Sequence, residues 1–331
     1  MSRKFLAVAA TLTLALAAVA STASGVGASP AQQQTAKKTY NFILVAGIAS
    51  DAFYLTMNKG AQAEAKKLGN VKVQFTGSAQ AFSPPTQIPF LDAAIAKHPD
   101  AILIAPTDKN ALIAPIQRAV SAGIPVFTVD TFVNKPLAIA NVSTDNLAGG
   151  RAAADALVKA IGGSGEVAGI SVNPGISTTD QRQQGFEQEL KKYPNVKYLG
   201  TQYCNDDQTK ATNLTSALLS AHPNLKGVFA MNVVSGNGVT AAVKTAGKSG
   251  QVKLVEFDAG PPQVQALKAG TISALIAQYP YGIGQIGVQL AYKYVTSGSK
   301  SGIKVHIGTG SAIITKANVN SPAFKKYLYT P

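Results

Sequence analysis

Residues 101–130 read AILIAPTDKNALIAPIQRAVSAGIPVFTVD, and this stretch decides the fold class. Its two short apolar runs, at 101–104 and 126–129, are typical of strands that are buried on both faces. The residues between them, 112–122, are long enough for a helix that connects the two strands. Strands that alternate with helices of this length predict parallel βαβ units and therefore an α/β fold.

The same alternation continues on both sides of this unit. Towards the amino terminus it predicts strands at 40–46 and 71–75 and helices at 54–68 and 85–97. Towards the carboxyl terminus it predicts strands at 139–142, 166–170, 196–202, 227–230, 253–257 and 272–277, and helices at 147–161, 180–192, 209–221, 238–245, 262–269 and 282–297. One continuous sheet of so many strands would be unusual. We therefore expect two doubly wound parallel-sheet, Rossmann-like lobes of similar size.

The first residues have the pattern of a secretory signal. Arg3 and Lys4 precede an apolar run, 5–20, that has no acidic side chain and is followed by small residues. This run is shorter than the ~20 residues that a membrane span needs, which disfavours a transmembrane anchor. We expect a cleaved signal peptide at 1–28, a flexible lead at 29–38, and a protein exported to the periplasm.

Charge and cysteine content restrict the possible partners. The formal net charge is +14, but the lysines are scattered over predicted helix faces, and no basic run is interleaved with aromatic residues. This pattern predicts a solvated basic surface and no nucleic-acid partner, while docking to a membrane partner or attraction of an anionic ligand stays open. Cys204 is the only cysteine, so no intrachain disulfide is possible, and we expect it to be packed as a small apolar residue.

Motifs that would indicate an enzyme are weak. Residues 236–241, GNGVTA, follow a predicted strand and superficially match a dinucleotide-binding fingerprint, with Glu256 about twenty residues further on. We interpret them as a flexible helix start, because nicotinamide cofactors are rarely available to an exported chain. The histidines show no metal-ligand spacing, and none lies near a nucleophile. We predict no catalytic residue, no metal and no cofactor.

Polar and aromatic residues instead gather where the predicted strands end, which is where open α/β sheets bind ligands. The candidate ligand-binding residues are Asp51, Phe53, Tyr54, Asp130, Thr131, Asn173, Arg182, Asp206, Asn232, Asp258 and Gln278. Carboxylates, amides and one arginine can exchange hydrogen bonds with sugar hydroxyls, and aromatic rings can cover the CH faces of a sugar ring. The set therefore indicates a small, hydroxyl-rich ligand.

Several phrases of the chain together resemble the ribose- and galactose-type periplasmic substrate-binding proteins, the capture components of sugar ABC transporters. The resemblance covers about residues 40–315. The matching phrases are APTD at 105–108, GIPV at 123–126, TDN at 144–146, GG at 149–150, Arg182 with GF at 185–186, VFAMN at 228–232, FD at 257–258, and IAQ at 276–278 with Pro280.

This resemblance implies a two-lobed clamp of the type I periplasmic-binding architecture, with a three-segment hinge near Thr144, Gln278 and Gly308. We expect a monomer, because oligomerisation is not indicated and a clamp must be free to close. The lobes would comprise 39–143 with 279–307, and 144–278 with 308–331. It further implies that Phe53 and Tyr54 stack on a sugar, that the polar candidates hydrogen-bond it, and that the closed form delivers it to a membrane ABC permease.

Departures from the ribose pattern bear on the identity of the ligand. Asp51 and Ala105 stand where amides are expected, Thr131 replaces an arginine, and Asp206 replaces an aromatic residue. The predicted pocket is more acidic than a ribose site, which favours a polyol, another pentose or hexose, or a ligand with a positive group. An alternative is a binding protein whose ligand is a nucleoside or a furanosyl signalling molecule. A second alternative, from a different class of protein, is a secreted enzyme on the same fold. A transcriptional repressor can share this architecture, but it would need an amino-terminal helix-turn-helix and no signal peptide. The predicted signal peptide at 1–28 therefore disfavours a repressor.

Overall fold

A computed structural model describes residues 38–330. The predicted signal peptide at 1–28, and the predicted lead at 29–38 except for its last residue, lie outside the described residues. Within 38–330, no helix combines the length and the apolar character that a membrane crossing requires.

The described chain alternates strands and helices almost to its end. The strands are β1 (Tyr40–Val45), β2 (Val71–Thr76), β3 (Ala101–Ile104), β4 (Val126–Val129), β5 (Asn141–Ser143), β6 (Gly165–Ser171), β7 (Val196–Tyr203), β8 (Leu225–Ala230), β9 (Lys253–Phe257), β10 (Ala274–Gln278), β11 (His306–Gly308) and β12 (Ser311–Ile314). The helices are α1 (Ala52–Leu68), α2 (Pro84–Ile95), α3 (Ile113–Ser121), α4 (Asn146–Ala160), α5 (Ser177–Leu190), α6 (Gln208–Ala221), α7 (Val233–Thr245), α8 (Pro261–Ala269) and α9 (Pro280–Ser297), with a 3₁₀ helix at Pro322–Tyr327.

These strands form two six-stranded sheets. The first has the order β11-β5-β4-β3-β1-β2 and is parallel throughout. The second has the order β12-β10-β9-β8-β6-β7, and only its edge strand β12 is antiparallel. All residues of β3 and β4 are buried, as helices on both faces of a parallel sheet require. The predicted fold of two parallel-sheet α/β lobes is confirmed.

The chain passes between the two sheets three times. It leaves the first sheet after β5, returns after β10, and leaves again between β11 and β12, at 144–145, 279 and 309–310. Accordingly, α4 packs on β8, β9 and β10 of the second sheet, whereas α9 packs on β3, β4 and β5 of the first. The carboxyl ends of the parallel strands in both lobes lie near these crossings.

Element boundaries differ from the prediction where a side chain caps a helix or where a strand is very short. Helix α7 begins five residues before the predicted start, because the Asn232 side chain accepts the backbone N–H of Ser235 and the Ser235 hydroxyl accepts the N–H of Asn232. Strands β11 and β12 were not predicted; with three and four residues they are too short to show a periodic pattern.

In both lobes, some pairs of helices approach so closely that only glycine fits. Where α9 crosses α1, a Cβ atom on Gly284 would lie 2.0 Å from the carbonyl oxygen of Met57. Where α4 crosses α5, a Cβ atom on Gly150 would lie 2.1 Å from the carbonyl oxygen of Arg182. Both neighbours are backbone atoms, so a side chain could be accommodated only if the helices moved apart.

We expect Gly284→Ala to lower the free energy of unfolding by about 1–3 kcal/mol, because overpacking outweighs the gain in helix propensity. Urea unfolding measures the change. Gly308→Ala is the matched control, since no atom lies within 4 Å of the added Cβ position. Equal stabilities of the two variants would contradict the prediction.

Candidate functional site

A cavity lies between the lobes at the carboxyl ends of the strands. The space between its lining side chains is about 490 Å³, including the part open to solvent. The lining residues are Ile48, Asp51, Phe53, Tyr54, Phe82, Asp130, Val172, Ile176, Thr178, Thr179, Arg182, Asp206, Asn232, Val233, Asp258 and Gln278. All but two of the predicted site residues are among them.

The two exceptions are Thr131 and Asn173. Thr131 follows Asp130 but is fully buried, and its Oγ1 atom has no hydrogen-bond partner among residues 38–330. Asn173 is half-buried in the loop between β6 and α5. Neither of the two residues lines the cavity.

Three of the lining carboxylates stand on backbone that non-glycine residues rarely adopt. The φ angles are +64° at Asp130, +55° at Asp206 and +83° at Asp258. Such left-handed conformations typically cost about 1–3 kcal/mol and persist only where the surrounding structure enforces them. Asp130 and Asp258 directly follow β4 and β9, so the strained turns begin where these strands end. Strain of this kind clusters at functional sites.

The first lobe contributes a capped helix start and two aromatic rings. The Asp51 carboxylate caps α1 by accepting the backbone N–H of Phe53 at 2.7 Å. The Tyr54 hydroxyl donates to Asp130 Oδ2 at 2.8 Å. The rings of Phe53 and Tyr54 meet edge to face with centroids 5.1 Å apart, and both residues are buried while lining the cavity.

The second lobe contributes one fixed guanidinium group. Arg182 donates from Nε to Asn146 Oδ1 at 2.9 Å and from Nη1 to the carbonyl oxygen of Met231 at 2.7 Å. Its Cζ atom lies 3.7 Å from the ring centroid of Phe257, which is fully buried. Phe257 therefore supports the arginine and does not line the cavity itself. Two fixed nitrogens and one stacked face hold the guanidinium group in a single orientation at the cavity wall.

The remaining polar groups hold one another in place. Asn232 donates from Nδ2 to Asp206 Oδ1 at 2.7 Å. Gln278 donates from Nε2 to Asp258 Oδ1 at 2.6 Å and accepts the Thr144 hydroxyl at 2.7 Å. Thr144 and Gln278 lie at two of the three crossings. These hydrogen bonds therefore link a carboxylate of the cavity to the segments that join the lobes.

Burial makes Asp51, Asp130 and Asp206 weaker acids than usual by raising the pKa of each carboxyl group. Loss of hydration, reinforced by neighbouring carboxylates, raises the pKa of Asp51 to about 7. Burial also raises the pKa of Asp130 to about 6, although Arg182 and the Tyr54 hydroxyl act in the opposite direction. Burial raises the pKa of Asp206 as well. A ligand that donates hydroxyl hydrogens to these groups would replace the water that they have lost.

Three aromatic or hydroxyl-bearing lining residues were missed at the sequence level. Phe82 lies in the loop after β2, so the rule that ligands bind at strand ends would have found it if applied to that strand. Thr178 and Thr179 lie in the first turn of α5, which begins three residues before its predicted start. Both residues follow a strand at the start of a helix, and this position could have identified them as lining residues.

The glycines at 236 and 238 serve packing, and the interpretation as a flexible helix start was wrong. Both lie inside α7, and a Cβ atom on Gly236 would lie 2.4 Å from Glu256 Oε2. Glu256 is fully buried and accepts hydrogen bonds from Thr240 and Gln263. Its position beneath α7 explains the spacing that superficially matches a dinucleotide fingerprint. Cys204 is buried, as predicted.

Two parallel-sheet lobes with polar groups gathered between the carboxyl ends of their strands are the arrangement expected of a two-lobed solute-binding protein. Comparison with known proteins agrees with this class. The periplasmic binding protein domain family matches residues 42–300. The ribose import binding protein of Salmonella typhimurium is 33% identical over 257 residues, which cover 78% of this chain and 85% of that protein. The D-allose-binding periplasmic protein of Escherichia coli is 31% identical over 265 residues, with the same two coverages of 78% and 85%.

A solved structure provides a closer comparison. An ABC transporter solute-binding protein from Agrobacterium vitis, bound with α-D-tagatopyranose, is 43% identical. The match covers 88% of this chain and 100% of that chain, with a TM-score of 0.85. The chain therefore belongs to the periplasmic binding protein family, in its ribose and galactose type, and the predicted resemblance is confirmed.

The raised pKa values predict that the ligand-free protein loses stability as the pH rises. Between the ordinary pKa of 3.8 and the raised value of about 7, Asp51 binds more protons in the folded than in the unfolded state. The free energy of unfolding therefore decreases over this window, and the loss is complete above it. Asp51→Asn still accepts the N–H of Phe53 but cannot ionise. As the pH rises from about 4 to 8, we expect the free energy of unfolding of Asp51→Asn to fall by about 1–3 kcal/mol less than that of the wild type.

Urea unfolding at a series of pH values between about 4 and 8 measures this difference. Asp92→Asn is the control variant, because Asp92 lies on the exposed face of α2 in an ion pair with Arg118. Asp51→Asn and Asp92→Asn with the same dependence on pH would count against the prediction.

Proposed function

We propose that this protein is the exported solute-binding component of an ABC importer, and that it captures a monosaccharide or polyol between its lobes by hinge closure. The observation that carries the proposal is the set of three strained carboxylates, Asp130, Asp206 and Asp258, which line one cavity together with Arg182. Sugar hydroxyls can donate to the carboxylates and accept from the guanidinium group. The aromatic rings of Phe53 and Tyr54 suit the CH face of a sugar ring.

The relatives support a sugar as the ligand. They include proteins named for ribose and D-allose and a structure bound with α-D-tagatopyranose. These molecules are small, neutral and hydroxyl-rich, which fits a cavity that offers more acceptors than donors. No catalytic role is proposed for any residue of the site. Export to the periplasm and delivery to a membrane permease are part of the same proposal.

Contacts between the lobes, made by residues close in sequence to those that line the cavity, support closure as the mechanism. Lys109 of the first lobe donates its backbone N–H to the carbonyl oxygen of Gly175 at 2.8 Å. Its Nζ atom lies 2.6 Å from Asp180 Oδ2. The N–H of Phe132 donates to Ser177 Oγ at 3.0 Å. These bonds can form only when the lobes are together, and a ligand that contacts both lobes favours that arrangement.

The central test is sugar binding by the wild type and by Asp130→Asn. Asparagine can still accept the Tyr54 hydroxyl and tolerates the left-handed backbone, so the fold should be preserved. Hydrogen bonds to charged groups contribute about 1.5–3 kcal/mol, so we expect the dissociation constant to rise roughly 10- to 150-fold. Calorimetric titration with D-tagatose, D-ribose, D-allose, D-arabinose, polyols and nucleosides measures it.

Asp92→Asn provides the matched control and should bind as the wild type does. Binding of a nucleoside with no response to sugars would support ligand capture between the lobes but would contradict a monosaccharide or polyol as the ligand. A wild type that binds no member of the panel would overturn the proposal. Release of a chemically altered sugar would favour the alternative of a secreted enzyme.

The Lys109–Asp180 ion pair between the lobes gives a separate prediction. Lys109→Met removes the charge while nearly preserving the length of the side chain. Because partly exposed ion pairs contribute about 0.2–1 kcal/mol, we expect the bound sugar to dissociate up to about fivefold faster. Stopped-flow measurements at low salt give this rate.

Lys197→Met is the control for this measurement, since it breaks an ion pair with Glu166 that lies within the second lobe. An unchanged dissociation rate in Lys109→Met, or an equal change in both variants, would speak against a role for the Lys109–Asp180 pair in closure.

A further inference from the structure

Residues 326–330 pack behind the wall of the cavity. After β12, a 3₁₀ helix leads to Tyr329, which is only 4% exposed although it lies close to the end of the sequence. The Tyr329 hydroxyl donates to Asp258 Oδ1 at 2.7 Å, and its backbone N–H donates to the carbonyl oxygen of Ala259 at 3.1 Å. Tyr329 is therefore bonded to the second lobe directly behind a carboxylate that lines the cavity.

The same part of the chain also contacts the first lobe. The Tyr329 ring meets the Phe53 ring edge to face, with centroids 5.7 Å apart. The backbone N–H of Thr330 donates to Thr56 Oγ1 at 3.1 Å. Phe53 and Thr56 both belong to α1, so two adjacent residues connect α1 to the turn after β9.

A third set of contacts lies at one of the crossings. Tyr279 occupies the passage from β10 to α9, and its ring meets that of Tyr327 with centroids 6.0 Å apart. The Nζ atom of Lys326 lies 5.4 Å from the Tyr279 ring centroid and 5.0 Å from that of Tyr327. The segment 326–330 therefore touches both lobes and the connection between them.

Hydrogen bonding at Asp258 shows what Tyr329 does for the cavity. Asp258 Oδ1 accepts from the Tyr329 hydroxyl and from Gln278 Nε2, while Oδ2 accepts the backbone N–H of Val233 at 3.0 Å. Together these donors fix the orientation of the carboxylate. Burial and the Asp258 charge raise the pKa of Tyr329 well above its usual value, so the hydroxyl stays a donor.

We propose that residues 326–330 form a noncovalent fourth connection between the lobes, and that Tyr329 is a positioning residue that orients Asp258 for the ligand. The proposal rests on the proposed function for its ligand, but not for its structural part. If the lobes rotate apart, the segment must give up its bonds to α1 or those to Asp258 and Ala259. It therefore favours the closed arrangement before any ligand binds.

Two single variants test the connection. Tyr329→Phe removes the hydroxyl and keeps the ring, and Thr56→Val removes the acceptor of the Thr330 N–H. Small-angle X-ray scattering of the ligand-free proteins should show a larger radius of gyration for both variants than for the wild type. Tyr193→Phe and Thr296→Val are the matched controls, since Tyr193 donates to Asp155 and Thr296 to the backbone of α9, away from the segment.

A double-mutant cycle tests the positioning role. With D-tagatose as the probe, or another sugar of the panel if that one binds, we expect Tyr329→Phe to raise the dissociation constant roughly tenfold. In the background of Asp258→Asn the same substitution should have much less effect, because its target carboxylate is gone. A residue that merely stabilised the fold would show the same effect in both backgrounds.

The possible outcomes separate the two proposals. If the wild type binds no sugar, the proposed function fails, whereas the scattering comparison still decides whether the connection exists. If the wild type binds sugar and Tyr329→Phe matches Tyr193→Phe in both scattering and affinity, the connection and the positioning role are overturned. Additive effects in the cycle, with increased opening, would overturn the positioning role alone.

Discussion

Carboxylates held away from water between two lobes are the constraint on which the rest of the structure depends. Asp130 and Asp258 are 5% and 3% exposed, and an isolated buried charge is costly unless hydrogen bonds compensate it. The compensation comes from many elements at once. Tyr54 serves Asp130, while Gln278, Tyr329 and the start of α7 serve Asp258. The ends of strands and the starts of helices from both lobes must therefore converge on one small volume. The left-handed backbone at these carboxylates is consistent with that requirement.

A ligand in this volume would act as a bond between the lobes. The first lobe presents Asp130 and the two aromatic rings, and the second presents Arg182, Asp206 and Asp258. A molecule that contacts only one lobe has no preference between open and closed forms and cannot shift their populations. Under the proposed function, the same side chains would therefore determine both the selectivity for the ligand and the closure of the lobes. Gln278 also accepts a hydrogen bond from Thr144, and Thr144 lies where the chain passes between the sheets. The cavity is thus linked to this crossing.

The sequence predicts the parts of this structure that depend on local pattern. The apolar runs of β3 and β4 have their predicted bounds, and Asp130 and Asp258 line the cavity because they follow strand ends. The start of α7 was missed because it depends on the Asn232 side chain, not on periodicity. Strands β11 and β12 are too short for a pattern. Tyr329 lies about seventy residues from Asp258 along the chain, and only the tertiary path of the last residues reveals their hydrogen bond.

If the lobes close on a ligand as proposed, the ligand-independent contacts between them must stay weak, because closure would otherwise not depend on the ligand. Changing a population from 1:99 to 99:1 takes about 5.5 kcal/mol of differential binding. The Lys109–Asp180 pair is partly exposed and therefore worth about 0.2–1 kcal/mol. Three hydrogen bonds between the lobes, from the backbone N–H groups of Lys109, Phe132 and Thr330, add about 0.5–1.5 kcal/mol each. Together these are less than several charge-assisted bonds from a sugar would supply. In the proposed mechanism, the interlobe contacts would therefore reduce the free-energy cost of closure, while ligand binding would still determine whether the lobes close.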